Sequence, residues 1–438
     1  MAAISGTNGP DNLQGTPEDD VIEGLGGDDR ILGGDGRDEL YGGDGSDFIH
    51  SSSQQLAARL SGGTGEDLLY VETQYFSSED LDNPPVMLAD GGSGIDTARL
   101  NANFGVKIDI SDPSIPQTIR FLLNDNSDRV YFEIVLSNTE VLEFSGGGHR
   151  GADITGGAYN DVLSGSSGIS DILRGGGGDD NLSGGDGPDT LLGGDGDDTL
   201  HLITSFIHDY LIDGGEGTDT LNFSGIFSYR GPNGINFSVA DPSLEQTLFG
   251  SPIRSVERLD GFGTEYDDSV TGGSFDDQFD GFSGSDIFYA GDGDDVGRAS
   301  DGNDRYYGQG GSDRFSGELG DDILEGGAGA DWLSGGEGED TLNGGEGADQ
   351  LFGGIGADVF VFATTDLGFN YGLRDQIYDF EVGVDLLDLS AFTGAVITIV
   401  HGGNDRVKID FDGDLKTDAL IQVETVGGAH LTMEDLIL

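Results

Sequence analysis

Aspartate is the residue through which this chain could do chemistry, because it returns at one place in a nine-residue row. Written in rows that begin with glycine, the chain spells G-G-x-G-x-D-x-U-x, where U is a large apolar residue. Residues 6–50 hold five rows, from "GTNGPDNLQ" to "GGDGSDFIH", with Asp11, Asp20, Asp29, Asp38 and Asp47 in sixth place. After the eleven-residue interruption "SSSQQLAARLS", a further row, "GGTGEDLLY" (62–70), adds Asp67. Residues 156–201 hold five more, with Asp161, Asp180, Asp189 and Asp198 in frame and one row, "GSSGISDILR", stretched to ten residues. Residues 263–361 run through eleven rows without a slip, carrying Asp268, Asp277, Asp286, Asp295, Asp304, Asp313, Asp322, Asp331, Asp340, Asp349 and Asp358. Two isolated starts, "GGSGIDT" (91–97) and "GGEGTDT" (214–220), add Asp96 and Asp219.

Ligands made only of carboxylate and carbonyl oxygen select a hard cation, and a wide cage rich in carbonyls suits Ca2+ better than the stricter Mg2+. If each ion sits between like turns, a tract of n rows offers n − 2 sites, roughly 15 ions in all. Their charge, about +30, would offset near half of the formal −64. Without ions the rows should repel one another and stay unfolded; with them, binding free energy becomes folding free energy. A solvated acidic linker, or a Gly-rich solenoid without metal, would not explain an acid held at one place in every row.

The row also spells the elements that must hold these acids. Glycines in first, second and fourth place allow positive φ and a tight turn, and let carbonyls point at a common centre. The last three places form a short strand whose central residue faces inward, so Leu13, Ile22, Ile31, Leu40 and Ile49 stack into apolar files, as do Leu182, Leu191 and Leu200. One row cannot bury its file alone. Two rows per turn of a flattened coil, stacked on neighbours, predict an all-β, right-handed parallel β-roll.

Two long segments outside the frame, 71–155 and 202–262, share landmarks in one order: "IDISDPSIPQT" (108–118) with "FSVADPSLEQT" (237–247), and "TGGAYNDVLSG" (155–165) with "TGGSFDDQFDG" (271–281). This order points to an internal duplication. Alternation at Val106, Ile108 and Ile110, and at Ile235, Phe237 and Val239, makes both strand-rich, either as spacers of the coil or as partner-binding surfaces. Within the third tract the inward places read Phe279, Phe288, Gly297, Tyr306 and Phe315, and rows 290–298 and 299–307 begin with alanine. Core filling is the first reading of this cluster, and a strained turn or a sugar-stacking patch is the other.

Composition excludes several classes. Eighty-three acids against 19 bases repel nucleic acid and anionic membranes. With no cysteine there is no disulfide framework or thiolate site. The start "MAAISGTNGPDNLQG" has neither the basic nor the apolar region of a cleaved signal peptide, and aliphatic runs such as "AVITIV" are too short for a membrane span. An H-E-x-x-H zinc site, a G-x-S-x-G elbow and a phosphate loop are all missing, and the six histidines (50, 149, 201, 208, 401, 430) are scattered. "GGGHRG" (146–151) precedes a strand-like "ADIT" and not a helix, and "DFDGDLKTD" (410–418) lacks the sixth-place glycine of an EF-hand, which is Leu415. With repeats starting at Gly6 there is no room for a catalytic head, so the expectation is a protein that is not an enzyme.

After Val361 the frame ends, and the run "DQIYDFEVGVDLLDLS" (375–390) resembles the block that follows the calcium roll in serralysin-type secreted proteases and other RTX proteins. The acidic-apolar end "LTMEDLIL" resembles their uncleaved C-terminal secretion signal. The resemblance implies calcium as cofactor, the type I secretion machinery as partner, and an extracellular protein that folds outside a Gram-negative cell. It divides the chain into a first calcium tract (1–70), a strand-rich insert (71–155), a second tract (156–201), a second insert (202–262), a third tract (263–361) and a cap with the secretion signal (362–438). The function it implies is a non-enzymatic surface, matrix or adhesive role. The alternative is a protein that binds or modifies extracellular polysaccharide, since the same roll accompanies alginate epimerases. A pore former is disfavoured, because RTX toxins carry a long apolar segment and acylated lysines, and this chain has only Lys107, Lys408 and Lys416.

Overall fold

A computed structural model describes the chain except residues 1, 54–58, 74–85, 103–105, 110–116, 123–129, 138–139, 147–150, 167–169, 204–209, 225–233, 249–250, 365–374, 411–416 and 418. Among the described residues the structure is strand and turn, with two single 3-10 turns at Val426–Gly428 and Met433–Asp435. Ile110, His149, His208 and most of the EF-hand-like stretch lie outside the described residues.

Every second row pairs in parallel. Ile4 registers with Ile22 and Ile22 with Leu40 in one sheet, while Leu13 registers with Ile31 and Ile31 with Ile49 in the other. Partners eighteen residues apart mean two rows per turn, one strand to each sheet, which is the parallel β-roll expected from the row. Burial alternates along each strand, as in Glu39–Asp44, so the central apolar residue of each row faces inward. Ile22, Ile31, Leu40, Leu182 and Leu333 are fully shielded, and burying each contributes about 1.5–3 kcal/mol. No row has more than one such residue to bury, so stability accumulates turn by turn.

The chain forms two units: Met1–Asn222 with Gly250–Val256, and Phe223–Phe249 with Glu257–Leu438. In the first unit the coil runs on through the first insert on one side, where Thr97–Ala102 pairs in parallel with both Leu68–Thr73 and Val141–Gly146. The other sheet takes in an antiparallel meander of Val106–Asp109, Gln117–Leu122 and Val130–Ser137. Its outer strands lie parallel to Asp153–Thr155 and to Val86–Ser93, so the meander is spliced into the sheet rather than hung from it. In the second unit Asn236–Ser238 lies parallel to Ser269–Thr271, the counterpart of Val106–Asp109 beside Asp153–Thr155. Equivalent landmarks in the two inserts therefore hold equivalent strands, and Ile235, Phe237 and Val239 all face inward.

The aromatic cluster of the third tract is core. Phe279, Phe288, Tyr306 and Phe315 are at most 1% exposed, with ring centroids 5.4–6.3 Å apart. A Cβ on Gly297 would meet Tyr306 Cδ2 at 2.5 Å and Phe315 Cδ1 at 2.8 Å, so the missing side chain is replaced by rings from neighbouring rows. Buried faces such as these cannot stack on a sugar.

The strict frame stops at Val361, yet stacking does not. Val359–Val361 pairs with Leu386–Asp388, which pairs with Leu436–Ile437. In the opposite sheet Gln350–Ile355 pairs with Gln376–Phe380, and that strand with Ala419–Thr425. The last of these closes an antiparallel sheet with Asp405–Asp410 and Val396–Val400.

Candidate calcium sites

Each sixth-place aspartate is held by the turn stacked on it. The Asp29 N–H donates to Asp47 Oδ1 at 2.8 Å, and the Asp313 N–H to Asp331 Oδ1 at 2.8 Å, each eighteen residues on. The isolated starts join the same ladders, with Asp67 N–H on Asp96 Oδ1 at 2.8 Å and Asp198 N–H on Asp219 Oδ1 at 2.9 Å. The glycines divide the labour. Second and fourth places take positive φ, as at Gly43 (116°) and Gly45 (127°), whereas first-place glycines such as Gly42 do not. The expectation of positive φ in first place is corrected by a different reason for glycine there. A Cβ on Gly24 would overlap both Asp29 Oδ2 and the Gly42 carbonyl oxygen, and one on Gly326 would overlap Asp331 Oδ2 and the Gly344 carbonyl oxygen.

Two acceptors thus flank the point beside a first-place glycine such as Gly24 or Gly326, and among the described residues no hydrogen-bond donor answers Oδ2 of the aspartate there. Buried Oδ2 atoms without a hydrogen-bond partner occur at Asp29, Asp38, Asp47, Asp67 and Asp96 in the first tract and its isolated row, and at Asp180, Asp189 and Asp198 in the second. The third tract has them at Asp286, Asp295, Asp304, Asp313, Asp322, Asp331, Asp340 and Asp358. Among them, burial pushes the carboxyls of Asp313, Asp322 and Asp331 up to about 7, of Asp180 and Asp295 to about 8 and of Asp286 to about 9, with backbone N–H bonds opposing it and neighbouring carboxylates adding to it. Unanswered oxygen in a dry, anionic row calls for a cation, and a donor set of carboxylate and carbonyl oxygen fits Ca2+. When bound, the ion would neutralise these carboxylates and tie consecutive turns together.

Not every sixth-place aspartate meets this test. Thr7, Thr16, Gly157, Thr264 and Gly273 donate their N–H groups to Oδ2 of Asp11, Asp20, Asp161, Asp268 and Asp277 at 2.5–2.7 Å. These are the opening rows of their tracts, and their carboxylates are already answered. The threonine hydroxyls add to the closure, as Thr16 Oγ1 does on Asp20 Oδ2 at 2.8 Å. Three of the five carry Thr in second place, in "GTNG", "GTPE" and "GTEY", while Gly157 and Gly273 close their rows through the backbone N–H alone.

Three ladder members escaped the nine-residue frame. Asp171 of the ten-residue row is closed by the Ser166 N–H at 2.7 Å and receives no less regular a place, its own N–H reaching Asp189 Oδ1 at 2.8 Å. Asp375 and Asp385 accept from the N–H groups of Asp349 and Asp358, each at 3.1 Å. Both keep the D-x-U-x half of the row, as "DQIY" and "DLLD", and that half was the signal for them.

A family model, RTX calcium-binding nonapeptide repeat (4 copies), matches residues 5–40, 24–54, 151–168, 170–201, 262–296, 298–333 and 325–360. The chain thus carries RTX calcium-binding repeats, and they lie on the β-roll described above. No curated protein matches it. Among solved structures it is similar to the AlgE6R3 subunit of the Azotobacter vinelandii mannuronan C5-epimerase, with 29% identity over 30% of this chain and 80% of that one, at a TM-score of 0.25. It is also similar to the extracellular lipase LipA of Serratia marcescens, with 16% identity over 70% of this chain and 44% of the lipase, at a TM-score of 0.16. At these scores neither similarity bears on what this chain does. None of the described residues forms a helix long and apolar enough to cross a membrane.

Proposed function

We propose that the protein is exported by a type I system through its C-terminal segment and folds on calcium outside the cell, where it serves as a non-enzymatic surface, matrix or adhesive component. One observation carries the calcium dependence: successive buried Oδ2 atoms, such as those of Asp313, Asp322, Asp331 and Asp340, have no donor among the described residues. A ladder of this kind is costly when bare and stable when ions occupy it, so the roll is a switch thrown by calcium concentration. The ligand set we propose is the sixth-place aspartate with the first-place carbonyl of the next turn, at interior rows. The opening rows serve as closed ends.

A polysaccharide-binding role is the second reading, and the described structure offers it no sugar platform in the buried aromatic cluster. Far-UV circular dichroism of the full chain with excess EGTA, and then with millimolar calcium, tests the leading reading. The expected outcome is a disordered spectrum that converts to strand on calcium addition; equal strand content in both conditions refutes it.

A further inference from the structure

We propose that His401, Asp405 and His430 form a site for a borderline transition-metal ion, with Zn2+ as the probe of its chemistry, distinct in kind from the calcium ladder. Asp405 opens the strand Asp405–Asp410, His401 follows the strand Val396–Val400 that pairs with it, and His430 arrives from the segment after Val426–Gly428. His401 Nδ1 lies 3.1 Å from Asp405 Oδ2, and His430 Nδ1 lies 3.0 Å from Asp405 Oδ1. One ligand atom from each of the three side chains falls within 4.8 Å of the others, the one such group that includes imidazole nitrogen among the described residues.

The supports are those of a prepared ligand. The Asp405 carboxylate is only 1% exposed, and the Leu431 and Gly402 N–H groups fix it at 2.8 and 3.3 Å. Both imidazoles are about half exposed (51% and 56%), with centroids 4.8 Å apart, so an ion can enter from solvent by a small closure of two rings. Two nitrogens and one carboxylate oxygen make the donor set of a Zn2+ site with an open position, at bonds of about 2.0–2.2 Å. Calcium takes oxygen ligands and has little use for imidazole, so the abundant ion does not compete on equal terms. On binding, each neutral imidazole offers its Nδ1 lone pair and carries its proton on Nε2 instead. The ion would pin the hairpin 396–410 to the segment at residue 430.

Isothermal titration of ZnCl2 into the full chain, saturated with millimolar calcium at pH 7.5, tests this directly. The comparison is with His401→Ala, His430→Ala and the double variant, because the acidic surface takes up zinc of its own. The expected result is one zinc equivalent that the double variant lacks, weakened at least tenfold in each single variant, with a tetrahedral Co2+ visible spectrum that disappears in step. His401→Gln, which can keep a hydrogen bond to Asp405, should weaken zinc binding at least tenfold, as His401→Ala does, while its circular dichroism in calcium stays that of the parent. Identical isotherms for the parent and the double variant, or a zinc equivalent that survives His401→Gln unchanged, would overturn the proposal.

Discussion

Asp268 and Asp331 hold the same place in rows of one tract, and their chemistry is opposite. At Asp268 the Thr264 N–H and hydroxyl reach back to the carboxylate, which has a donor for both oxygens. At Asp331 the second oxygen meets only another acceptor. The difference originates one turn away. In an interior row the second-place residue registers with its counterpart on the neighbouring turns, Gln309 with Gly291 and Gly327, and takes positive φ to do so. Thr264 has an ordinary φ, and its N–H is left to close on its own aspartate. An open carboxylate oxygen is therefore a property of a stack and not of a row.

The largest expected effect that probes this contrast comes from removing one acid of each kind. Asp331→Ala should lower both the bound calcium and the melting temperature in calcium. The loss is about 2.7 kcal/mol per site when calcium stands a hundredfold above its dissociation constant. Asp268→Ala should cost stability through its lost charged hydrogen bonds, about 1.5–3 kcal/mol, and leave the calcium count alone. Equilibrium dialysis with thermal melts measures both, and equal calcium losses would erase the distinction between closed and open rows.

Next is pH. Interior carboxyls raised to about 7, 8 and 9, at Asp331, Asp295 and Asp286, bind protons in the folded roll that the unfolded chain has released. Stability then falls with rising pH wherever the native state holds more protons. The metal-free roll should thus be most stable in acid and lose stability from about pH 4, where unfolded aspartates ionise, up to those raised values. Circular dichroism in EGTA should show more strand at pH 5.5 than at pH 9, and apparent calcium affinity should rise over the same interval.

Smaller effects sharpen the picture at single residues. Thr264→Ala removes the hydroxyl that donates to Asp268 Oδ1 and should cost about 1 kcal/mol in a thermal melt without changing bound calcium. Leu25 sits in second place with φ 82° and is 47% exposed, so Leu25→Gly should relieve strain and stabilise the calcium-bound roll by about 1 kcal/mol. A loss of stability there would mean that Leu25 contributes contacts its exposure does not suggest.

The period, the inward files and the sixth-place acid were all legible in the sequence, because each row states its own local geometry. Asp171 was hidden by one extra residue, and Asp375 and Asp385 by the loss of the glycines that marked the frame. The closed rows escaped notice because closure depends on which turn precedes, although Thr in second place marked three of them, those of Asp11, Asp20 and Asp268. His401, Asp405 and His430 could not be linked from spacing, since an antiparallel hairpin joins the first two and the segment after Val426–Gly428 brings in the third, 29 residues beyond His401 along the chain.

The eighteen-residue register sets a grammar for how such a chain can change length. Removing or adding two whole rows returns every later residue to its own sheet, with the ladders rejoined and the files intact. Removing a single row sends all that follows to the opposite sheet, so that every later strand exchanges its neighbours. Growth and loss by pairs is thus silent to the packing, and by ones it rewires the remainder of the unit.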